Sequence, residues 1–313
     1  MADLMSIVKS GDTRAIARTL TLADSGDAAT LAALDAAYAG LPQPQRIGIT
    51  GPPGAGKSTL TSALISAFRA TGAKVGVVAI DPTSPFSGGA LLGDRLRMGA
   101  HTLDAGVFVR SMATRGQFGG LAASTEDACD VLALAGFDPV IVETVGVGQS
   151  EIDIAKLADT TVVVLTPSAG DSVQALKAGI MEIADVVVIN KSDQQGAERL
   201  EEDIRDAMNL RADSELWKAD IVRTVATTGE GIAELAKVIS KHRARLVKNA
   251  MLDSKRAKRQ AARFDDLVVE LMRQSLWRDG ATRMLAGALK QKVAKGELSP
   301  RAAAAALLRD LKI

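Results

Sequence analysis

Short runs such as RIGIT (46–50), KVGVVAI (74–80), PVIVETV (139–145), TTVVVLTP (160–167) and DVVVIN (185–190) are apolar along most of their length, with DIVRTVA (220–226) a more polar last member. A strand with one wet face alternates apolar and polar residues. Strands that are apolar on both sides belong to a parallel sheet covered by helices on both faces. The segments between the runs have apolar residues three and four apart, as helices do: LTSALISAFRATG, STEDACDVLALAG, DSVQALKAGIMEIA, AERLEEDIRDAMNL and GIAELAKVISKH. The expectation is an α/β fold over residues 46–245, a doubly wound, mostly parallel sheet with helices on both faces. Residues 1–45 read as an N-terminal helical segment, and residues 246–313 as a C-terminal helical packing or dimerisation segment.

Composition removes several classes. The charges nearly balance, 38 Lys+Arg against 37 Asp+Glu, which argues against coating nucleic acid or an anionic membrane. Aromatic residues make up 3%, too few for base-stacking platforms. Residues 241–263 are locally basic but carry no aromatic residue, and read as the solvated face of a packing helix. No run approaches about 18 uninterrupted apolar residues, and the N-terminus has no signal-type apolar core, so a cytoplasmic location is expected. The single cysteine, Cys129, excludes an internal disulfide and reads as a buried small hydrophobe.

Directly after the first strand comes GPPGAGKST, which fits G-x-x-x-x-G-K-[ST] between a strand and a helix. In this loop Gly51, Gly54 and Gly56 let the backbone turn tightly so that its N–H groups can face phosphate oxygens, and Pro52, Pro53 and Ala55 complete the cradle. Lys57 supplies a point charge, Ser58 a hydroxyl for Mg²⁺, and Thr59 a hydroxyl toward the α-phosphate. The fold is therefore expected to be that of a P-loop NTPase.

At the end of DVVVIN stands Asn190-Lys191-Ser192-Asp193. A carboxylate at Asp193 can accept from N1–H and the 2-amino group of guanine, donors that adenine lacks, which selects GTP/GDP over adenine nucleotides. Asn190 would brace the loops, and Lys191 would lay its stem against the base. A third base contact is expected from the loop TVATTGEG (224–231), around the backbone of Ala226. Glu143 closes the run PVIVET, with Gly146 three residues on; the acid suits Mg²⁺ or its water shell, and the glycine N–H suits a γ-phosphate oxygen. Asp81 and Asp94 are further acids, so the expected Mg²⁺ set is Ser58, Asp81, Asp94 and Glu143. Lys57, Glu143, Gly146 and Asp94 are the expected catalytic group. Val147 follows Gly146 where a water-orienting glutamine would be usual, so slow intrinsic hydrolysis is expected. Arg95, Arg97, Arg110 and Arg115 are candidates for transition-state charge, and His101 and His242 are too few for a zinc site.

These strings together resemble the MeaB/ArgK/MMAA family of P-loop GTPases. The resemblance is carried by GPPGAGKST, DPTSPFSGGALLGDRLRM (81–98), FVRSMATRGQFGGL (108–121) and GFDPVIVETVGVGQSE (136–151). It continues through PSAGDSVQALKAGIMEIADVVVINKSD (167–193) and TVATTGEGIAELAKVISKH (224–242). It implies a homodimeric GTPase chaperone of an adenosylcobalamin-dependent acyl-CoA mutase of the methylmalonyl-CoA mutase type, gating cofactor delivery and protecting the mutase. It places Asp81 and Asp94 with Mg²⁺ and switch I, Glu143 in switch II, and Asp171, Gln174, Lys177 and Glu182 in a further switch coupled to the partner. One departure is that Trp217 is followed by Lys218, Ala219 and Asp220 rather than a Pro-Pro pair. A GTP-dependent metallochaperone, or another GTP-switch interaction protein, is the alternative; the scarcity of Cys and His argues against the former.

Overall fold

The computed structural model describes residues 6, 8–81, 101, 103–113, 120–144, 150–167, 180–210, 219–278 and 280–310 of the chain. Helices α1 (Thr13–Asp24) and α2 (Ala28–Ala37) precede β1 (Arg46–Thr50) and α3 (Lys57–Ala70). Then come β2 (Val75–Asp81), β3 (Val107–Ala113), α4 (Gly120–Leu134), β4 (Val140–Thr144), α5 (Ser150–Leu157) and β5 (Thr160–Leu165). They are followed by β6 (Val186–Asn190), α6 (Ala197–Leu210), β7 (Asp220–Thr224), α7 (Ile232–Lys248), α8 (Met251–Arg278), α9 (Gly280–Ala294) and α10 (Pro300–Asp310).

The described strands form one sheet in the order β3-β2-β4-β1-β5-β6-β7, and every pairing is parallel. The doubly wound arrangement expected from the apolar runs is the one observed. Side chains on alternate faces of each strand meet different helices. Ile47, Ile49, Val162, Val164, Val186 and Val188 pack against α3 and α7. On the other side Val163, Leu165, Val187 and Ile189 meet α6, while Val140 and Val142 join a cluster with α1, α4 and α5. Cys129 is fully buried in that cluster, and burial pushes its thiol pKa up to about 11, so it is a neutral core residue.

The chain divides into two compact units, Met1–Arg259 and Gln260–Ile313. The sheet and its covering helices lie in the first. In the second, α9 and α10 are joined through a turn at Gly296 (φ 73°), and Ser299 caps α10 by accepting from Ala302 N–H at 3.2 Å. Among the described residues no helix is long and apolar enough to cross a membrane.

At the sheet edge where the strands begin, polar groups are buried in pairs. Arg46, 2% exposed, reaches Glu126 at 3.2 Å and Asp130 at 2.7 Å on α4. Asp159, fully buried just before β5, accepts from Arg256 at 2.7 Å, from Arg259 at 3.0 Å and from the Arg46 N–H at 3.1 Å. Burial alone would raise its pKa, but the hydrogen bond from Arg256 and the charges of Arg259 and Arg256 hold it below the usual carboxylate value. Close by, His242 lies with Nδ1 2.9 Å from the Thr160 hydroxyl and Nε2 3.5 Å from Asp185.

Burial lowers the His242 pKa from 6.5. The charges of Lys255 and Arg245 act in the same sense, and Asp185 and Asp220 oppose them. The unfolded chain therefore takes up a proton near pH 6.5 that the folded chain refuses. Stability is fully present above that pH and declines as the pH falls from there toward the folded value, by at most ~1.4 kcal/mol per pH unit. Urea unfolding at pH 7.5 and 5.5 should show this loss, and His242→Gln should show less of it. An identical pH slope in both proteins would rule out His242 as its source.

Candidate functional site

Parallel strands end at a common edge, and in open α/β sheets that edge is where ligands bind. At the end of β1 the chain turns through Gly51 to Gly56 into α3. Gly51 has φ 140°, and a Cβ there would collide with the Val164 carbonyl on the neighbouring strand. Gly56 is left-handed at φ 86° and opens the helix directly before Lys57. Each conformation favours glycine and lets the loop close on itself.

Within this loop Pro52, Ala55, Lys57 and Ser58 are buried, Gly56 is half-buried, and Pro53, Gly54 and Thr59 are exposed. The Lys57 ammonium donates to the Gly51 carbonyl at 2.7 Å and the Pro52 carbonyl at 3.1 Å, so its charge is held inside the loop. The Ser58 hydroxyl donates to Glu143 Oε1 at 2.6 Å, across 85 residues of sequence, and Glu143 is fully buried. A hydroxyl and a carboxylate oxygen are hard oxygen donors of the kind Mg²⁺ takes, while the positive N-terminus of α3 beside them favours an anion.

Asn190, at the end of β6, joins three loops through one amide. Its Nδ2 donates to the Ala55 carbonyl at 2.9 Å, and its Oδ1 accepts from the Thr224 hydroxyl and the Ala226 N–H, each at 3.1 Å. Lys191 is left-handed at φ 54° and donates from Nζ to the Gly54 carbonyl at 2.9 Å. Beside this brace lies a pocket of about 200 Å³. Gly56, Thr59, Asn190, Lys191, Asp193 and Ala226 all line it, together with Gln194, Val225 and Thr227. Asp193 is exposed within it.

Most of the site residues anticipated from sequence thus gather at one sheet edge. Asp81 ends β2 at that edge, but its side chain lies outside the described residues, as do Asp94, Gly146, Asp171, Gln174 and Lys177. Of the candidate arginines only Arg110, on β3, is described. Glu182 is exposed in a short 3₁₀ turn, Ile180–Glu182, just before β6; that is the opposite end of the strand from Asn190. Adjacency to Asp193 is the only sequence signal for Gln194, Thr224 opens the loop expected to meet the base, and nothing local marks the buried pair Thr50 and Thr144.

Asn190→Ala would remove three hydrogen bonds at once and leave buried partners unsatisfied. A loss of ~2–4 kcal/mol is expected in urea unfolding without any ligand, from the cost of stranded buried polar groups. A loss below ~0.5 kcal/mol would show that the amide does not brace the loops.

The profile of the family described as "Methylmalonyl Co-A mutase-associated GTPase MeaB" matches residues 16–281. A putative GTPase of Pyrococcus abyssi is 51% identical over 260 residues, covering 82% of this chain and 80% of that protein. The mouse protein named "Methylmalonic aciduria type A homolog, mitochondrial" is 36% identical over 277 residues, 87% of this chain and 67% of that protein. Among solved structures, that of an LAO/AO transport system kinase superposes with a TM-score of 0.73 at 25% identity, covering 100% of this chain and 97% of the other. The fold is accordingly that of a P-loop NTPase. With a profile match running from α1 to the start of α9, the chain belongs to the MeaB/ArgK/MMAA family of P-loop GTPases.

Proposed function

We propose that this chain binds and slowly hydrolyses GTP with Mg²⁺, as the nucleotide-gated chaperone of an adenosylcobalamin-dependent acyl-CoA mutase. The observation that carries the nucleotide reading is the pocket in which Asp193, Lys191 and Asn190 stand next to the glycine cradle. A base held there would have its phosphates on the Gly51–Thr59 backbone and near the Lys57 ammonium. Moving from the Gly51 and Pro52 carbonyls to a phosphate needs only a swing of that side chain.

Ser58, Asp81, Asp94 and Glu143 are the proposed holders of Mg²⁺, which when bound neutralises charge building on the β- and γ-phosphate oxygens. Ser58 and Glu143 are already paired, and a hydroxyl that gives its proton to a carboxylate keeps lone pairs for a cation. Gly146 is proposed to meet the γ-phosphate. The Ala226 N–H is engaged with Asn190, so that loop would meet the base from a braced position.

The partner reading rests on the family description, which names methylmalonyl-CoA mutase, and on the mouse relative's name. Asp171, Gln174, Lys177 and Glu182 are proposed as the coupling segment. A homodimer is supported by an apolar face of α8, where Phe264 is 66% exposed, Val268 38%, Leu271 62% and Met272 51%, at i, i+4, i+7 and i+8. Such residues crowded on one helix are characteristic of a surface that another chain covers.

Two measurements test this reading. Purified protein should turn over GTP well below the ~10 s⁻¹ of ordinary enzymes. The host's adenosylcobalamin-dependent mutase should raise that rate roughly tenfold or more, about 1.4 kcal/mol of barrier. No change with the mutase would remove the client while leaving the nucleotide site. Separately, Asp193→Asn should weaken GTP by ~10- to 100-fold and erode its preference over ATP, as expected for losing a hydrogen-bonded charge. Unchanged selectivity would move the guanine reader elsewhere.

A further inference from the structure

The Ser58–Glu143 contact joins two chain segments at the place where both leave the sheet. Backbone register between β1 and β4 runs from Arg46↔Val140 to Ile49↔Glu143 and stops there. Beyond that rung the chain becomes the cradle on one side and the segment after Thr144 on the other. Strand ends fray unless something closes them, yet Ser58 and Glu143 meet at 2.6 Å.

Between these two ends lies a pair of hydroxyls. Thr144 Oγ1 donates to Thr50 Oγ1 at 3.2 Å; Thr50 is fully buried and Thr144 is 1% exposed. Alternation along the strands separates this pair from the functional contact. Ile47 and Ile49 face α3, and so does Glu143, which reaches Ser58 on that helix. Thr50 and Thr144 therefore point to the other face, where a Cβ on Gly48 would meet Ile154 and Ala158 at 2.9 Å. On its far side Thr144 is held in register with Ile80 of β2, and Thr50 with Val163 of β5. The hydroxyl pair thus clamps the last rung from behind, without touching the groups in front.

We propose that Thr144, through Thr50, is a positioning residue for the Ser58–Glu143 oxygen pair. Its hydroxyl holds the ends of β1 and β4 together so that Glu143 stays against Ser58 and the two oxygens are presented to a divalent cation as a unit. The inference rests on the proposed nucleotide reading for its role, and on the sheet geometry for its mechanism. A valine at either position would preserve shape and burial while deleting the bond. Deleting one hydroxyl leaves its buried partner unsatisfied, which costs stability, so stability is measured beside activity.

The test compares wild type, Thr144→Val and Thr144→Ser in GTP turnover across a Mg²⁺ titration, with thermal unfolding and binding of a fluorescent GDP analogue in EDTA measured alongside. Thr144→Val should raise the half-saturating Mg²⁺ concentration and lower turnover, each by about tenfold, as small misplacements of reacting groups do. The GDP analogue without Mg²⁺ should bind as in wild type, and Thr144→Ser, which restores the hydroxyl, should restore the Mg²⁺ response. Thr50→Val should reproduce the defect, and the double variant should be no worse than either single one. An unchanged Mg²⁺ response in Thr144→Val would overturn the proposal. So would a defect that serine fails to rescue and that tracks lost thermal stability.

If wild type binds no guanine nucleotide, the functional reading fails on its own. A crystal structure of Thr144→Val then still decides the positioning claim. A Ser58–Glu143 separation beyond about 3.5 Å supports it, and a retained hydrogen bond refutes it.

Discussion

Because every strand pairing in the sheet is parallel, each strand leaves it at the same edge, and each exit strands polar main-chain groups there. The sequence answers this with a row of buried polar side chains at or just past the strand ends. Thr50, Glu143, Thr144, Thr166, Asn190 and Thr224 are all at most 2% exposed. Apolar residues there would leave the loop carbonyls and N–H groups without partners. Glu143 bonds to Ser58, Thr144 to Thr50, and Asn190 to the loops, so the architecture that demands a polar edge also supplies donors and acceptors there. The Asn190 amide is the densest case, bonding to Ala55, Thr224 and Ala226.

The opposite edge solves a different problem. Arg46, Arg256 and Arg259 are buried or nearly so with Glu126, Asp130 and Asp159, three cations against three carboxylates. Such clusters gain little stability over apolar packing, because desolvation offsets the attraction. They are directional, however, and removing one member strands another's charge. Here the directionality ties the first residue of β1 to α4 and the residue before β5 to the first turns of α8. Lys255 adds to this by donating to the Asp159 carbonyl at 2.9 Å and Asp185 at 3.1 Å. The central strand is thereby anchored at its start by charge and at its end by the hydroxyl pair and the cradle.

Much of this fold was legible because its signals are local. RIGIT emerges as β1 with the expected bounds, and AERLEEDIRDAMNL as α6. The cradle and the Asn190-to-Asp193 motif could be read because each is contiguous and its chemistry depends on spacing. β3 was not singled out as a strand. It lies at the sheet margin and carries Arg110 and Ser111, so it lacks the unbroken apolar character that marks its neighbours. α5 was missed for its shortness, eight residues after a glycine-rich stretch. The braces were illegible for another reason. Asn190 and Ala55 are 135 residues apart, and Thr144 and Thr50 are 94 apart. No periodicity encodes such pairs. Arg46 reads as an ordinary charged strand start, and only its 2% exposure reveals a buried ion cluster.

The proposed base pocket and the glycine cradle are not separate modules. Lys191 holds a left-handed backbone at φ 54°, a conformation that costs a non-glycine residue roughly 1 kcal/mol or more. It is retained while its ammonium donates to Gly54 and the preceding side chain to Ala55, both within the cradle. The loop that presents Asp193 is therefore shaped by contacts with the loop that would hold phosphates. Disturbing either one shifts the other, since the bonds are shared and buried groups left unpaired are expensive. On the proposed nucleotide reading, base selectivity and phosphate binding therefore rise and fall together. A ligand that fills only the base pocket or only the cradle leaves half of this shared arrangement unused, which favours a whole nucleotide over its fragments.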